Sequence, residues 1–191
     1  MSLKNIKIHP TAEVSSQAKV GDGTQIWHQT QIREGVEIGE DCIIGKNVYL
    51  DLNTRIGNRV KIQNNVSLYN HTIIEDGVFI GPHCVFTNDK NPRAINPDGT
   101  IKNGADWDHG TTLVKQGASI GAQSVILPDI TIGEFALIGA GSVVTKNVEA
   151  YSLVYGNPAI KKGTVCKCGL KVSNGKRCLD CGNAGKADLE N

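Results

Sequence analysis

Two groups of residues in this chain have the types and spacing for chemistry. The first is a set of thiols. Cys166-x-Cys168-Gly and Cys178-x-x-Cys181-Gly bring four cysteines into sixteen residues. Each pair is followed by Gly, which lets backbone N–H groups turn towards sulfur. Four thiolates around a tetrahedral Zn2+ would hold a peptide too short for a core of its own. Such a site is structural, because it leaves no open position for catalysis. Disulfides and unligated thiols are the other readings, and C-x-C is tighter than the usual C-x-x-C. The second group lies mid-chain. His71 and Asp89 are eighteen residues apart. If the chain coils every eighteen residues, they stack about 4.8 Å apart, a carboxylate over an imidazole, as a proton relay needs. Lys90 and Arg93 follow, with charge suited to a pyrophosphate or a sugar carboxylate. The plain alternative for each is a corner residue or a solvated charge.

The elements that must position these residues are written in sixes. From Ile8 through Val14, Val20 and Ile26 to Phe86, fourteen consecutive positions six apart are apolar. Four residues after each of the first thirteen stands a small or β-branched residue such as Thr24, Thr30, Cys42 or Val60. Gly, Asn or Asp recurs three places on, where a corner can need positive φ. Six fits neither an amphipathic helix nor a long strand. It fits a short strand and a corner, repeated, with three hexads to a triangular coil and coils stacked like a parallel sheet. The expected fold is all-β: a parallel β-helix with one long mid-chain loop and a small C-terminal four-cysteine knuckle. The pattern fails between Thr87 and Leu113, in a polar segment carrying Pro92, Pro97 and three glycines. It resumes at Val114. A loop this long in a compact domain is usually functional or disordered, and it reads as an arm over the prism that touches another subunit. The domain division is therefore 1–148 for the repeat with its loop 87–113, 149–165 for an extension leaving it, and 166–191 for the knuckle and a fraying tail.

Composition removes several function classes. Net charge is +1, so nothing pulls the chain to nucleic acid or anionic lipid. Basic residues surround the knuckle (Lys161, Lys162, Lys167, Lys171, Lys176, Arg177), but no aromatics interleave them. No apolar signal segment opens the sequence and no run reaches the ~20 residues of a membrane span, so the expected address is the cytoplasm. Cys42 and Cys84 fall at inward hexad positions on different faces, as buried thiols out of reach of each other.

The hexads, the mid-chain loop and the run GAGSVVTKNVEAYSLVYGNPA at 139–159 resemble the hexapeptide-repeat acyltransferases. The resemblance covers residues 1–165 and implies a left-handed parallel β-helix, a homotrimer with sites between subunits, and acetyl-CoA as acyl donor. KIQNNVSLY (61–69), GPHCVFTNDKNPRA (81–94) and GASIGA (117–122) are most similar to the nucleotide-sugar N-acetyltransferases of polysaccharide biosynthesis. That implies acetylation of a UDP-linked 3-amino sugar acid, or of a dTDP-linked 3-aminohexose. It also implies that Asn88 positions the amine, with His71 and Asp89 as the relay. Gln63, Asn64, Asn65 and Tyr69 would read the sugar or base beside Lys90 and Arg93. CoA would lie along the backbone at Ser119, Ala122 and Ala140, with Lys146 and Lys161 near its adenosine phosphates.

Two other chemistries compete. An O-acetyltransferase of the same fold needs a His base, because an alcohol is less nucleophilic than an amine. The loop opens FTND, without His, and no partner is expected for His9, His28, His83 or His109. A metal hydratase needs three His across a trimer interface, and the sequence suggests no close His pair. A scaffold without chemistry would not need the loop or the VYGNPA run.

Overall fold

In the computed structural model the structure describes residues 5–173 and 178–182. Nearly every hexad folds as a strand of two residues, with its second residue facing inward: Gln25–Ile26, Gln31–Ile32, Glu37–Ile38 and onward. Each strand pairs in parallel with the strand eighteen residues later, Lys7 with Gln25 and Glu13 with Gln31. Three parallel sheets result, each one face of a triangular prism. The first begins at Lys7–Ile8, the second at Glu13–Val14 and the third at Lys19–Val20. Among the described residues the helical structure is confined to one 3-10 turn, Gly104–Asp106. No helix among them is long and apolar enough to cross a membrane.

The core is a narrow column. Ile44, Leu50, Ile62, Leu68, Ile80, Phe86 and their equivalents are fully buried. Burying one such side chain contributes about 1.5–3 kcal/mol, and the repeat adds this contribution coil after coil. The small inward positions have a second task. Thr24 and Thr30 donate their hydroxyls to the carbonyls of Gly39 and Gly45 at 2.9 and 2.7 Å. Cys42 and Cys84 do the same with thiols, to Gly57 and Gly121, both at 3.1 Å. Both are unpaired and buried, and burial raises both thiol pKa values. Thr, Ser and Cys are interchangeable there because each is small and carries one donor for a corner carbonyl. Corners turn through the left-handed region at Asp41, Asn47, Asn53 and Asn65, with φ of 55–60°.

The arm interrupts one corner and leaves the register intact. Ile74 pairs with Val114, Ile80 with Ile120 and Phe86 with Ile126, all forty residues apart instead of eighteen. The chain leaves the second sheet after Phe86 and enters the third at Thr112. It is an ordered excursion. Ile95 and Ile101 form an antiparallel bridge near its tip. Asn103 caps the 3-10 turn by accepting from the Ala105 N–H at 2.9 Å.

Past Val148 the first sheet continues by other means. Ser152–Gly156 pairs in parallel with Leu137–Ile138. Ala159–Val165 then folds back antiparallel on it, and Lys171–Val172 adds a last antiparallel strand. The tail of the last eight residues, expected to fray, lies outside the described residues, as do Lys176 and Arg177 of the basic set around the knuckle.

Candidate active site

The corner between the second and third sheets is where the arm starts and ends, so residues distant in sequence meet there. The neck of the arm is a short antiparallel ladder. The Gly110 N–H donates to the Asn88 carbonyl at 2.9 Å, and Asp89 bridges His109. One step inward, the Thr112 N–H donates to the His71 carbonyl at 3.0 Å. Gly110 is buried at this crossing: a Cβ there would stand 2.6 Å from the Pro128 side chain and 2.8 Å from the Asp129 nitrogen. Only glycine lets the returning strand lie this close to the next coil.

His71 occupies the left-handed corner position, with φ 65°. The next coil sets Thr112 beside Thr72, so Asp89 does not stack on His71. The His71 ring instead meets His109, with ring centroids 5.2 Å apart, and Trp107 lies 5.7 Å beyond. The expected stack of Asp89 over His71 is thus corrected. Past Thr87 the chain no longer follows the coil, and the Asp89 carboxylate closes the first turn of the arm by accepting from the Asn91 N–H at 2.9 Å. The expectation of no close His pair is corrected as well. His71 meets His109 here, and His9 stacks on His28 at 3.5 Å near the N-terminal end. His109 Nδ1 is buried without a hydrogen-bond partner, in the same cluster. Asn88 is half-buried beside them, and its side-chain amide makes no hydrogen bond within the described chain.

Lys90 is engaged within the chain. Its ammonium contacts the carboxylates of Asp129 and, at 3.8 Å, Asp108. The hydrogen bond to Asp129 raises the Lys90 pKa, and the same bond, with the Thr111 N–H at 2.8 Å, lowers that of Asp129. Lys90 therefore ties the neck of the arm to the next coil. Arg93 is exposed farther out, with one N–H on the Pro92 carbonyl at 2.8 Å. Tyr69 shares the site's corner and meets Tyr49 edge-on at 5.8 Å. Beneath it Asp51 accepts from the Asn70 N–H at 3.2 Å, from the Tyr49 hydroxyl at 2.9 Å and from Arg33 at 3.3 Å, bracing the corner that carries His71.

The remaining expected residues lie elsewhere on the prism. Gln63, Asn64 and Asn65 form the preceding corner, between the first and second sheets, across a sheet from Asn88. Gln63 and Asn64 help line a cleft of about 290 Å³ with Trp27, His28 and Lys46. Asn65 is held between Asn47 and His83 in a ladder of corner amides. Ser119 lies in the first sheet, and Ala122 and Ala140 stack at the corner after it. Lys146 is exposed on the corner that carries Asn88, two coils later. Lys161 lies in the added strand and pairs with Glu149 at 2.6 Å.

His109, Asp51 and Arg33 escaped the reading of the sequence. Arg33 and Asp51 are eighteen apart, as are Asp51 and Tyr69, so the stacking rule held the signal for them. His109 was legible by a different rule: an excursion that returns to its own corner must set its two ends side by side.

The bacterial transferase hexapeptide (six repeats) family matches residues 17–51, 53–88 and 111–146, more than half of the chain, and the chain belongs to that family. The hexapeptide repeat of succinyl-transferase also matches residues 35–70. The prism is accordingly the family's left-handed parallel β-helix. The chain is 59% identical over 63 residues to dTDP-3-amino-3,6-dideoxy-alpha-D-galactopyranose 3-N-acetyltransferase of Aneurinibacillus thermoaerophilus, a match covering 33% of each chain. It is 31% identical over 96 residues to galactoside O-acetyltransferase of Lactococcus lactis, covering 48% of this chain and 45% of that one. The matches thus span about a third and under a half of these curated relatives, both acetyltransferases. Among solved structures, a variant of GDP-perosamine N-acetyltransferase from Caulobacter crescentus, in complex with CoA and GDP-perosamine, superposes with a TM-score of 0.53 at 22% identity. It covers 84% of this chain and 57% of that one, and shows the fold.

Proposed function

We propose that this chain is an acetyl-CoA-dependent N-acetyltransferase acting on a nucleotide-linked 3-amino sugar, in the cytoplasm, for surface polysaccharide biosynthesis. The observation that carries the reading is the neck of the arm. It gathers an uncommitted amide, Asn88, and two imidazoles at one corner, with the exposed guanidinium of Arg93 farther out on the same arm. The relative with 59% identity acts on a dTDP-linked 3-amino sugar and supports the class of acceptor. UDP-2-acetamido-3-amino-2,3-dideoxyglucuronate is the acceptor we favour, with Arg93 on its carboxylate or its pyrophosphate.

The chemistry asks little of the protein beyond placement. The amine attacks the thioester carbonyl, the C–N bond forms, the C–S bond breaks, and the thiolate leaves. A sugar amine titrating nearer the ~8 of an α-amino group is partly neutral at cell pH, so a strong base is optional. Asn88 orients the amine. The His71–His109 pair takes up the proton that the product nitrogen sheds. Tyr69 borders the acceptor, with the Gln63–Asn65 corner receiving the far end of a long nucleotide. The donor lies against Ser119, Ala122 and Ala140, with Lys146 and Lys161 near its phosphates.

These donor residues and Asn88 lie largely on different corners of one prism. A single pair of substrates reaches both sets where two chains abut edge to edge, which favours a homotrimer with sites between subunits. Exposed Ile95, Ile101 and Trp107 on the arm suit such a contact. The C-terminal cysteines, read as a structural Zn2+ site, stand outside this chemistry.

The test is a panel of UDP- and dTDP-linked amino sugars incubated with acetyl-CoA and read by mass spectrometry. A gain of one acetyl group on a 3-amino sugar is expected. Acetylation confined to hydroxyl acceptors would replace this reading with that of an O-acetyltransferase, for which the His pair would be the base.

A further inference from the structure

The C-terminal thiols do not behave as a loose tail. Cys166, Cys168, Cys178 and Cys181 point their sulfurs at one another, all within 4.8 Å. All four are unpaired thiols, and Cys166 and Cys178 are buried. Cys168 lies 3.6 Å from Cys178, and Cys181 lies 3.9 Å from Cys166. Four sulfurs at about 2.3 Å from one ion stand roughly 3.8 Å from each other. Cys166 and Cys168 are closer, at 2.7 Å, and an ion between them would open that pair to the same edge. Each cysteine pair rides on its own tight turn. The Gly169 N–H donates to the Cys166 carbonyl at 2.9 Å, and the Gly182 N–H to the Cys178 carbonyl at 3.0 Å. Both glycines have positive φ, 88° and 67°. Two turns that each aim two sulfurs at a common point offer four soft ligands to one ion, and four thiolates in tetrahedral geometry select zinc among the common divalent ions.

What the cage would hold is visible in the strands beside it. In the two antiparallel strands after Gly156 only Val165 is buried. Leu170 and Leu179 face solvent, so the segment has almost no core of its own. Ala159–Val165 is paired along its length with Ser152–Gly156, but from Val165 onward the attachment to the prism is narrow. The Val165 N–H donates to the Tyr151 carbonyl at 2.8 Å, and Lys167 lies over the Phe135 ring at 5.1 Å. Phe135 and Tyr151 stack at 5.4 Å, both at left-handed corners with φ 53° and 59°. Bulky residues there are strained by about 1–3 kcal/mol each, and persist only where the surroundings enforce them. Gly117 makes room beneath: a Cβ on it would run into the Phe135 ring. This aromatic stack is a landing for the cap at the end of the last coil, where the first sheet would otherwise present an open edge.

We infer that Cys166, Cys168, Cys178 and Cys181 hold one Zn2+, and that this ion is the clasp fastening the strands at 159–172 across the end of the prism. The ion closes a ring from Cys166 to Cys181, and so supplies the order that the segment's few apolar residues do not. The clasp is independent of acetyl transfer, and so is its test.

The full-length chain is purified in a reductant that does not bind metal, and its metal content is measured. One zinc per chain is expected, lost in Cys178→Ser. Replacement by Co2+ should give strong thiolate-to-cobalt absorption. Zinc is then stripped from the unmutated chain with a chelator, and backbone hydrogen exchange is followed. Exchange at residues 159–172 should rise about tenfold or more, while strands such as Lys61–Ile62 and Phe79–Ile80 stay protected. Four reactive thiols with no metal, a disulfide, or iron in place of zinc would each overturn the site. Zinc present, but with exchange at 159–172 unmoved by its removal, would overturn the clasp.

Discussion

The prism wall and the arm that leaves it are built by opposite means. The wall repeats one device: an aliphatic side chain turned into a dry column and a small residue satisfying a corner carbonyl. The arm buries little. It is held by a backbone ladder at its neck, an ion pair through Lys90, a capping box at Asn103 and a bridge near its tip. Stability therefore resides in the wall, while the arm supplies polar groups that can be spent on a ligand. Residues meeting at the neck come from both: His71 from a wall corner, Asn88 and His109 from the two ends of the arm.

That division can be broken at several points. The largest effect belongs to Phe86, fully buried and the last wall residue before the arm. Phe86→Ala should cost about 3–5 kcal/mol in denaturant unfolding; a cost under about 1 kcal/mol would mean the column is not the source of stability. Next is the tie between arm and wall. Lys90→Met should lower kcat/KM by on the order of tenfold through misplacement of Asn88, leaving the unfolding midpoint nearly unmoved. A change in stability without a change in kinetics would reverse the assignment.

His71→Ala sharpens the choice of acceptor. For an amine that is already partly neutral, turnover should fall less than about tenfold, whereas loss of an obligatory base costs about 10²–10⁴-fold. The smallest effect concerns pH. The Asp129 pKa is lowered, so its share of the tie is complete above the ordinary carboxylate range, near 4, and is lost only as pH falls below that range. The Lys90 pKa is raised, so its share is complete below the ordinary range, near 10.4, and is lost only above it. The Lys90–Asp129 tie should therefore be unchanged from about pH 5 to 9, so Lys90→Met should alter proteolysis of the arm by the same factor throughout that window.

The wall was legible because its rule is local: the inward residue of each hexad is named by its position alone, and Ile62, Leu68 and Ile80 are buried where the count of six put them. The site was legible only in part. The count located the corner where the chain departs, and with it Asn88, but it does not extend into the arm. Extrapolating the coil past Thr87 stacks Asp89 on His71, and charge alone suggests Lys90; in the structure Asp89 closes the arm's own turn and Lys90 tethers the arm to the next coil. Nearness along the axis groups Gln63–Asn65 with Asn88, although they sit at the preceding corner. His109 was hidden because its neighbours are set by closure of the arm rather than by periodicity. The closure distance, forty residues between Phe86 and Ile126, holds that information once it is read as eighteen plus an excursion.

The central claim is that the neck of the arm is where an amine meets a thioester. Its most direct test is steady-state thiol release from acetyl-CoA with the preferred nucleotide amino sugar, comparing the unmutated chain with Asn88→Ala. We expect kcat to fall by about 10²-fold or more, as when one preorganised polar group is removed from an active site, with the oligomer intact. Full turnover in Asn88→Ala would contradict the account and move the active site to another corner of the prism.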